Sequence, residues 1–102
     1  MTSEDIKQAN AVIVAFYGHQ LSFSNPNERT VKVLATMIKE TGKCSKAIAK
    51  LLDGLSSLSG PGWALKVVKA GAKLAKSDKE SFRMCNAVVK NKYRSVLEIT
   101  MI

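Results

Sequence analysis

Apolar positions recur along this chain at intervals of three and four, the period of a helix packed on one side. In SEDIKQANAVIVAFYGHQL, residues 3–21, Ile6, Ala9, Ile13, Phe16, Tyr17 and Gln20 follow that spacing, and Val12 widens the stripe. Ser3 reads as the cap, with Glu4 and Asp5 in a first turn whose partial positive charge favours carboxylates. Gly18 reads as the stop. The β-branched run Val12-Ile13-Val14 suits a strand, but the flanking period selects a helix.

The turn SFSNPNE starts a second helix. Asn25, Pro26 and Glu28 fit the cap, first and third positions, and Gly42 fits the stop. Val31, Leu34, Met37 and Ile38 face inward in this reading, while Arg29, Lys32, Lys39 and Glu40 face water. In KCSKAIAKLLDGLSSL, residues 43–58, an arc from Cys44 through Ala47, Ile48, Leu51, Leu52 and Leu55 to Leu58 opposes Lys46, Lys50, Asp53 and Ser57. Gly54 lies near the apolar edge, where a close helix approach accounts for it. SGPG is a corner, and Pro61 is a start signal for the next helix. In the last segment Ser77 and Glu80 fit a capping box. Phe82, Cys85, Val89, Tyr93 and Val96 continue one stripe, with Val88 and Leu97 on its edges. The apolar end LEITMI is either a last turn packed on the core or an edge that meets a partner.

The stretch GPGWALKVVKAGAKLAK, residues 60–76, has the strongest pattern. At 100° per residue, Lys66, Lys69, Lys73 and Lys76 fall within an arc of about 80°, which leaves an apolar arc of about 220°. A surface helix needs only a little over about 100°. This helix therefore requires neighbours on two sides. Ala64, Val68, Gly71 and Ala75 form a strip of small residues, and Trp63, Val67, Ala70 and Leu74 a bulkier one. The chain is thus expected to be all-α. Residues 1–102 form a single domain, a compact bundle of about five short helices with residues 62–76 as the central one. Short loops favour antiparallel neighbours, and an orthogonal arrangement fits short helices without heptads equally well.

Composition changes this picture in one respect. A chain of 102 residues, 46% hydrophobic and 6% aromatic, supports one core built mainly from aliphatic side chains and alanine. Its net charge of +8 is uneven, with +2 over residues 1–60 and +6 over residues 61–102. Thirteen of the sixteen basic residues are lysine, a point charge suited to anionic surfaces rather than to base edges. Cys44 and Cys85 lack a CxxC spacing and are expected as free buried thiols in a reducing compartment, so the protein is expected to be cytoplasmic or otherwise intracellular. The start MTSEDIKQ is too polar for a signal peptide, and no apolar run reaches the length of a membrane span.

Residues able to do chemistry are scattered. His19 is the sole histidine, and zinc needs about four suitable ligands. Glu40 and Asp53 are not spaced as an acid–base pair. The serines cluster in turns without a base, and no phosphate-binding or dinucleotide fingerprint is present. The expectation is therefore no catalytic site, no metal and no cofactor.

What remains is a basic face: Lys66, Lys69, Lys73 and Lys76, joined by Lys79, Arg83, Lys90, Tyr93 and Arg94 from the last helix. Trp63 and Tyr93 are the aromatic side chains best placed to anchor a partner. The reading is a non-enzymatic helical interaction or inhibitor module with a macromolecular protein partner. DNA or RNA held through its phosphates is the alternative. Residues 43–70 fit a helix–turn–helix poorly, because the second helix begins Trp-Ala-Leu and offers few polar groups to bases. A module for anionic membrane surfaces is the second alternative, weakened by an apolar arc rich in alanine.

Overall fold

The computed structural model describes residues 1–18, 26–44, 46–51, 62–77 and 79–101. All regular structure among them is helical: α1 (Ser3–Tyr17), α2 (Glu28–Gly42), α3 (Lys46–Leu51), α4 (Trp63–Ser77) and α5 (Lys79–Thr100). Four long helices carry the bundle. Within the expected third helix the described part is the six-residue α3, and with four long helices the expectation of about five is slightly off in its count. Leu52, Leu55, Leu58 and Gly54 lie outside the described residues.

Local chemistry moves three of the expected boundaries. The cap of α1 is Thr2 rather than Ser3: its hydroxyl accepts from the Asp5 N–H, and the Asp5 carboxylate accepts from the Thr2 N–H. Gly18 ends that helix at φ 74°, a left-handed value that glycine adopts without a Cβ clash. The cap of α2 is Asn27, two residues later than Asn25. Its side-chain oxygen accepts from the N–H groups of Arg29 and Thr30, and its amide donates to the Thr100 carbonyl. Ser77 does not cap α5. It is the last residue of α4, and its hydroxyl donates to the Lys73 carbonyl.

The core is aliphatic, as composition requires. Ala9, Val12, Ile13 and Phe16 of α1 meet Val31, Leu34, Ala35, Met37 and Ile38 of α2, and Val67, Val68, Ala72 and Leu74 of α4. Ile6 is exposed rather than buried. Of the expected stripe on α5, the side chains of Phe82 and Cys85 lie outside the described residues, Val89 is buried and Tyr93 packs against the core, and burial then passes from Val96 to Leu97 toward the end of the helix. Leu97 is its innermost residue, with Val89 and Thr100 buried beside it, whereas Val96 is 49% exposed and Val88 79%. Spacing alone leaves this choice open, because Val88, Val96 and Ile99 form a second apolar row on the same helix. The LEITMI end packs inward at Leu97 and Thr100, where the Thr30 and Thr100 hydroxyls share a hydrogen bond, and leaves Ile99 in water.

Helices α2 and α5 are antiparallel. Asn27 and Thr30, at the start of α2, meet Thr100 at the end of α5, and Glu40 near the end of α2 meets Lys92 and Tyr93. Helix α4 packs most extensively on α2 and α1. It answers the demand of its wide apolar arc with neighbours on two sides. Gly71 is buried directly against Ile38, the close approach that the small-residue strip anticipates. No described helix is long and apolar enough to cross a membrane.

Candidate interaction face on α4

The exposed edge of α4 follows from its burial. Ala64, Val67, Val68, Gly71, Ala72 and Leu74 turn inward, so Lys66, Lys69, Lys73 and Lys76 are left in water along one edge. The row is about 15 Å long at 1.5 Å per residue. It starts where Gly62, at φ 81°, turns the chain into the helix and accepts the Lys66 N–H.

One anion touches the row. Lys69 Nζ lies 4.0 Å from Asp5 Oδ1, with the lysine side chain 56% exposed and the aspartate 13%. At that distance and exposure the pair contributes little stability. The Asp5 carboxyl is held below its ordinary range first by the Thr2 N–H. The Thr2 hydroxyl and the Lys69 charge act in the same direction, against partial burial. Lys66, Lys73 and Lys76 have no ion pair among the described residues.

On α5 the side chains of Lys92 and Arg94 are ion-paired, and Lys90 is engaged through its backbone carbonyl. Tyr17 at the end of α1 donates its hydroxyl to the Lys90 carbonyl at 2.6 Å, and burial pushes that phenol up to about 12. Tyr93 donates to Glu40 at 2.6 Å, and Lys92 reaches the same carboxylate at 3.4 Å. The Tyr93 hydroxyl is the main cause holding Glu40 below its ordinary range, and Glu40 in turn raises the Tyr93 phenol. Arg94 pairs with Glu98 one turn away. Arg83 is exposed, and the side chain of Lys79 lies outside the described residues. Asp5, beside the lysine row, and Tyr17, beside Lys90, are twelve residues apart on α1, or about 18 Å. Lys69 and the Lys90 backbone thus meet α1 at opposite ends. Of the two expected aromatic anchors, Tyr93 is tied to Glu40, and Trp63 is half-buried with Lys39 Nζ 4.3 Å above its ring.

A feature that sequence reading missed adjoins the row. The first turns of three helices border a half-open pocket of about 370 Å3, lined by the cap Thr2 and Asp5 of α1, Glu28, Val31 and Lys32 of α2, and Ala64 and Leu65 of α4. Its walls come from segments far apart in the chain. The one signal in the sequence is Leu65, an apolar residue bordering the lysine arc of α4. No family model, curated protein or solved structure matches this chain. The face is therefore judged on its own chemistry.

Cys44 is exposed and disulfide-bonded, which corrects the expectation of a free buried thiol. The side chain of Cys85, the only other cysteine in the sequence, lies outside the described residues. His19 and the Gly60-Pro61 corner also lie outside them. Among the described residues no three His, Cys, Asp or Glu side chains are grouped to hold a metal.

Proposed function

We propose that this protein is a non-enzymatic interaction or inhibitor module that holds a macromolecular protein partner through the lysine edge of α4. One observation carries this reading. Helix α4 commits its apolar surface to α1 and α2 and presents four lysines in a row, only one of them ion-paired among the described residues. A desolvated or salt-linked edge would be structural, whereas this one keeps its charge available to an anionic partner.

The membrane reading fares worse on α4, because the apolar arc that would enter a bilayer is buried. Nucleic-acid binding through phosphates stays the alternative, since lysines serve either polyanion. An intracellular location rested on free thiols. The disulfide at Cys44 favours an oxidising compartment instead.

The test is capture from the native host with and without nuclease, using the natural protein and the Lys69→Glu/Lys73→Glu variant. A protein partner retained through nuclease treatment and lost with the variant is the expected result. Partners held equally by both forms exclude this face. Retention abolished by nuclease transfers the reading to nucleic acid.

A further inference from the structure

The lysine row and the pocket share a residue. Asp5 lines the pocket and also touches Lys69. Leu65, also in the lining, is the residue immediately before Lys66. The pocket therefore opens at the head of the row. Its lining is apolar at Val31, Ala64 and Leu65, and its volume of about 370 Å3 lies within the range of small-molecule and side-chain sites. It has room for one large apolar side chain. Its charged lining is mixed, Asp5 and Glu28 against Lys32, so it holds no excess of basic side chains to draw a carboxylate, while Lys66, Lys73 and Lys76 beyond it call for carboxylates.

We propose that pocket and row form one composite groove for an acidic segment of a partner protein, led by a large apolar side chain that enters the pocket. This rests on the reading of the lysine edge as the binding face, and it adds the chemistry of the partner. Surface ion pairs alone are worth roughly 0–1 kcal/mol each, so a row of lysines binds a short acidic segment weakly. A buried anchor supplies both the missing affinity and the direction in which the segment lies. From Leu65 to Lys76 the groove is about 16 Å long at 1.5 Å per residue. An extended segment of about five residues spans it at roughly 3.3 Å each. The charge pattern thus specifies an anchor with several carboxylates on one side of it, within about five or six residues.

The experiment uses the full chain and four probes at one low ionic strength. These are a fluorescently labelled heptapeptide with one tryptophan followed by six glutamates, the same peptide with serine in place of the tryptophan, an oligo(dT) strand, and phosphatidylglycerol vesicles. The tryptophan peptide is expected to bind at least tenfold more tightly than the serine peptide, and more tightly than either other probe. Leu65→Trp, which fills the pocket from its own wall, is expected to abolish the difference between the peptides. Lys69→Glu/Lys73→Glu is expected to weaken both. Equal binding of the two peptides to the natural protein overturns the groove and leaves the basic edge standing, and this comparison needs no variant. Tighter binding of oligo(dT) or vesicles than of the tryptophan peptide overturns the choice of an acidic segment. Failure of all four probes overturns the groove. The basic-edge reading itself falls only if, in addition, capture from the host is unaffected by the lysine reversals.

Discussion

Gly71 has a side of α4 to itself because Ile38 occupies the space a Cβ would need. Ile38 Cδ1 and Cγ1 are the atoms met, the latter at 2.9 Å, and Ile38 is fully buried. Gly71→Ala gains about 1 kcal/mol of helix propensity and forces the core apart at a typical cost of about 1–3 kcal/mol. A net loss of about 1 kcal/mol in chemical denaturation is expected. Ile38→Val removes Cδ1, so the double variant should be more stable than the sum of the single effects predicts. The tyrosines give a second residue-scale prediction. Both phenols are raised above 10.0, Tyr17 by burial and Tyr93 by Glu40. Absorbance at 295 nm should show tyrosinate appearing at higher pH in the folded chain than in the chain unfolded by denaturant. The Glu40–Tyr93 bond sets its own window. Glu40 has a lowered folded value, so its contribution is present above the ordinary carboxyl range and lost as pH falls through the folded value. Tyr93 has a raised value, so its part persists until pH rises through it. The destabilisation by Tyr93→Phe should therefore be greatest near neutrality and shrink on acidification. A loss independent of pH would assign Tyr93 to packing alone.

The buried face of a helix was legible where its stripe had one solution and shifted by a residue where a second apolar row adjoined it. The core of α2 is read correctly from Val31, Leu34, Met37 and Ile38, because the opposite face carries charge. On α5 the row Val88, Val96 and Ile99 competes with Val89 and Leu97, and only the position of α2 decides between them. The cap of α2 is similar. Asn25 and Asn27 are equivalent by local rules, but the amide of Asn27 also reaches the Thr100 carbonyl, 73 residues away. Asn27→Ala removes the helix cap and the tether to α5 together. It should cost about 1–2 kcal/mol from the cap alone and somewhat more in all. Asn27→Asp keeps the cap and loses the tether, so its loss should be smaller. Equal losses in thermal melts would locate the whole effect in the tether.

At the scale of the molecule, the lysine row was legible because helical spacing places four charges on one arc. The pocket beside it was not, since it needs three first turns brought to one end of the bundle. The charge of +8 makes stability and binding respond oppositely to one substitution. Lys66 lies near the start of α4, whose first turn carries no acidic residue. Lys66→Glu puts a negative charge at the positive end of the helix and relieves repulsion within the row. It should stabilise the fold by about 0.3–1 kcal/mol at low ionic strength. Added salt should erase most of that gain, because the Debye length falls from about 30 Å at 0.01 M to about 8 Å at 0.15 M. The same substitution should weaken the acidic peptide, and salt should weaken the natural protein's binding in parallel. A residue kept for function at the expense of stability has this signature. Were the edge ordinary solvation, Lys66→Glu would raise the melting temperature and leave every probe bound as before. Were the lysine stem packed over Leu65, the substitution would lower the melting temperature at all salt concentrations. Paired thermal melts and peptide titrations at two ionic strengths separate the three outcomes.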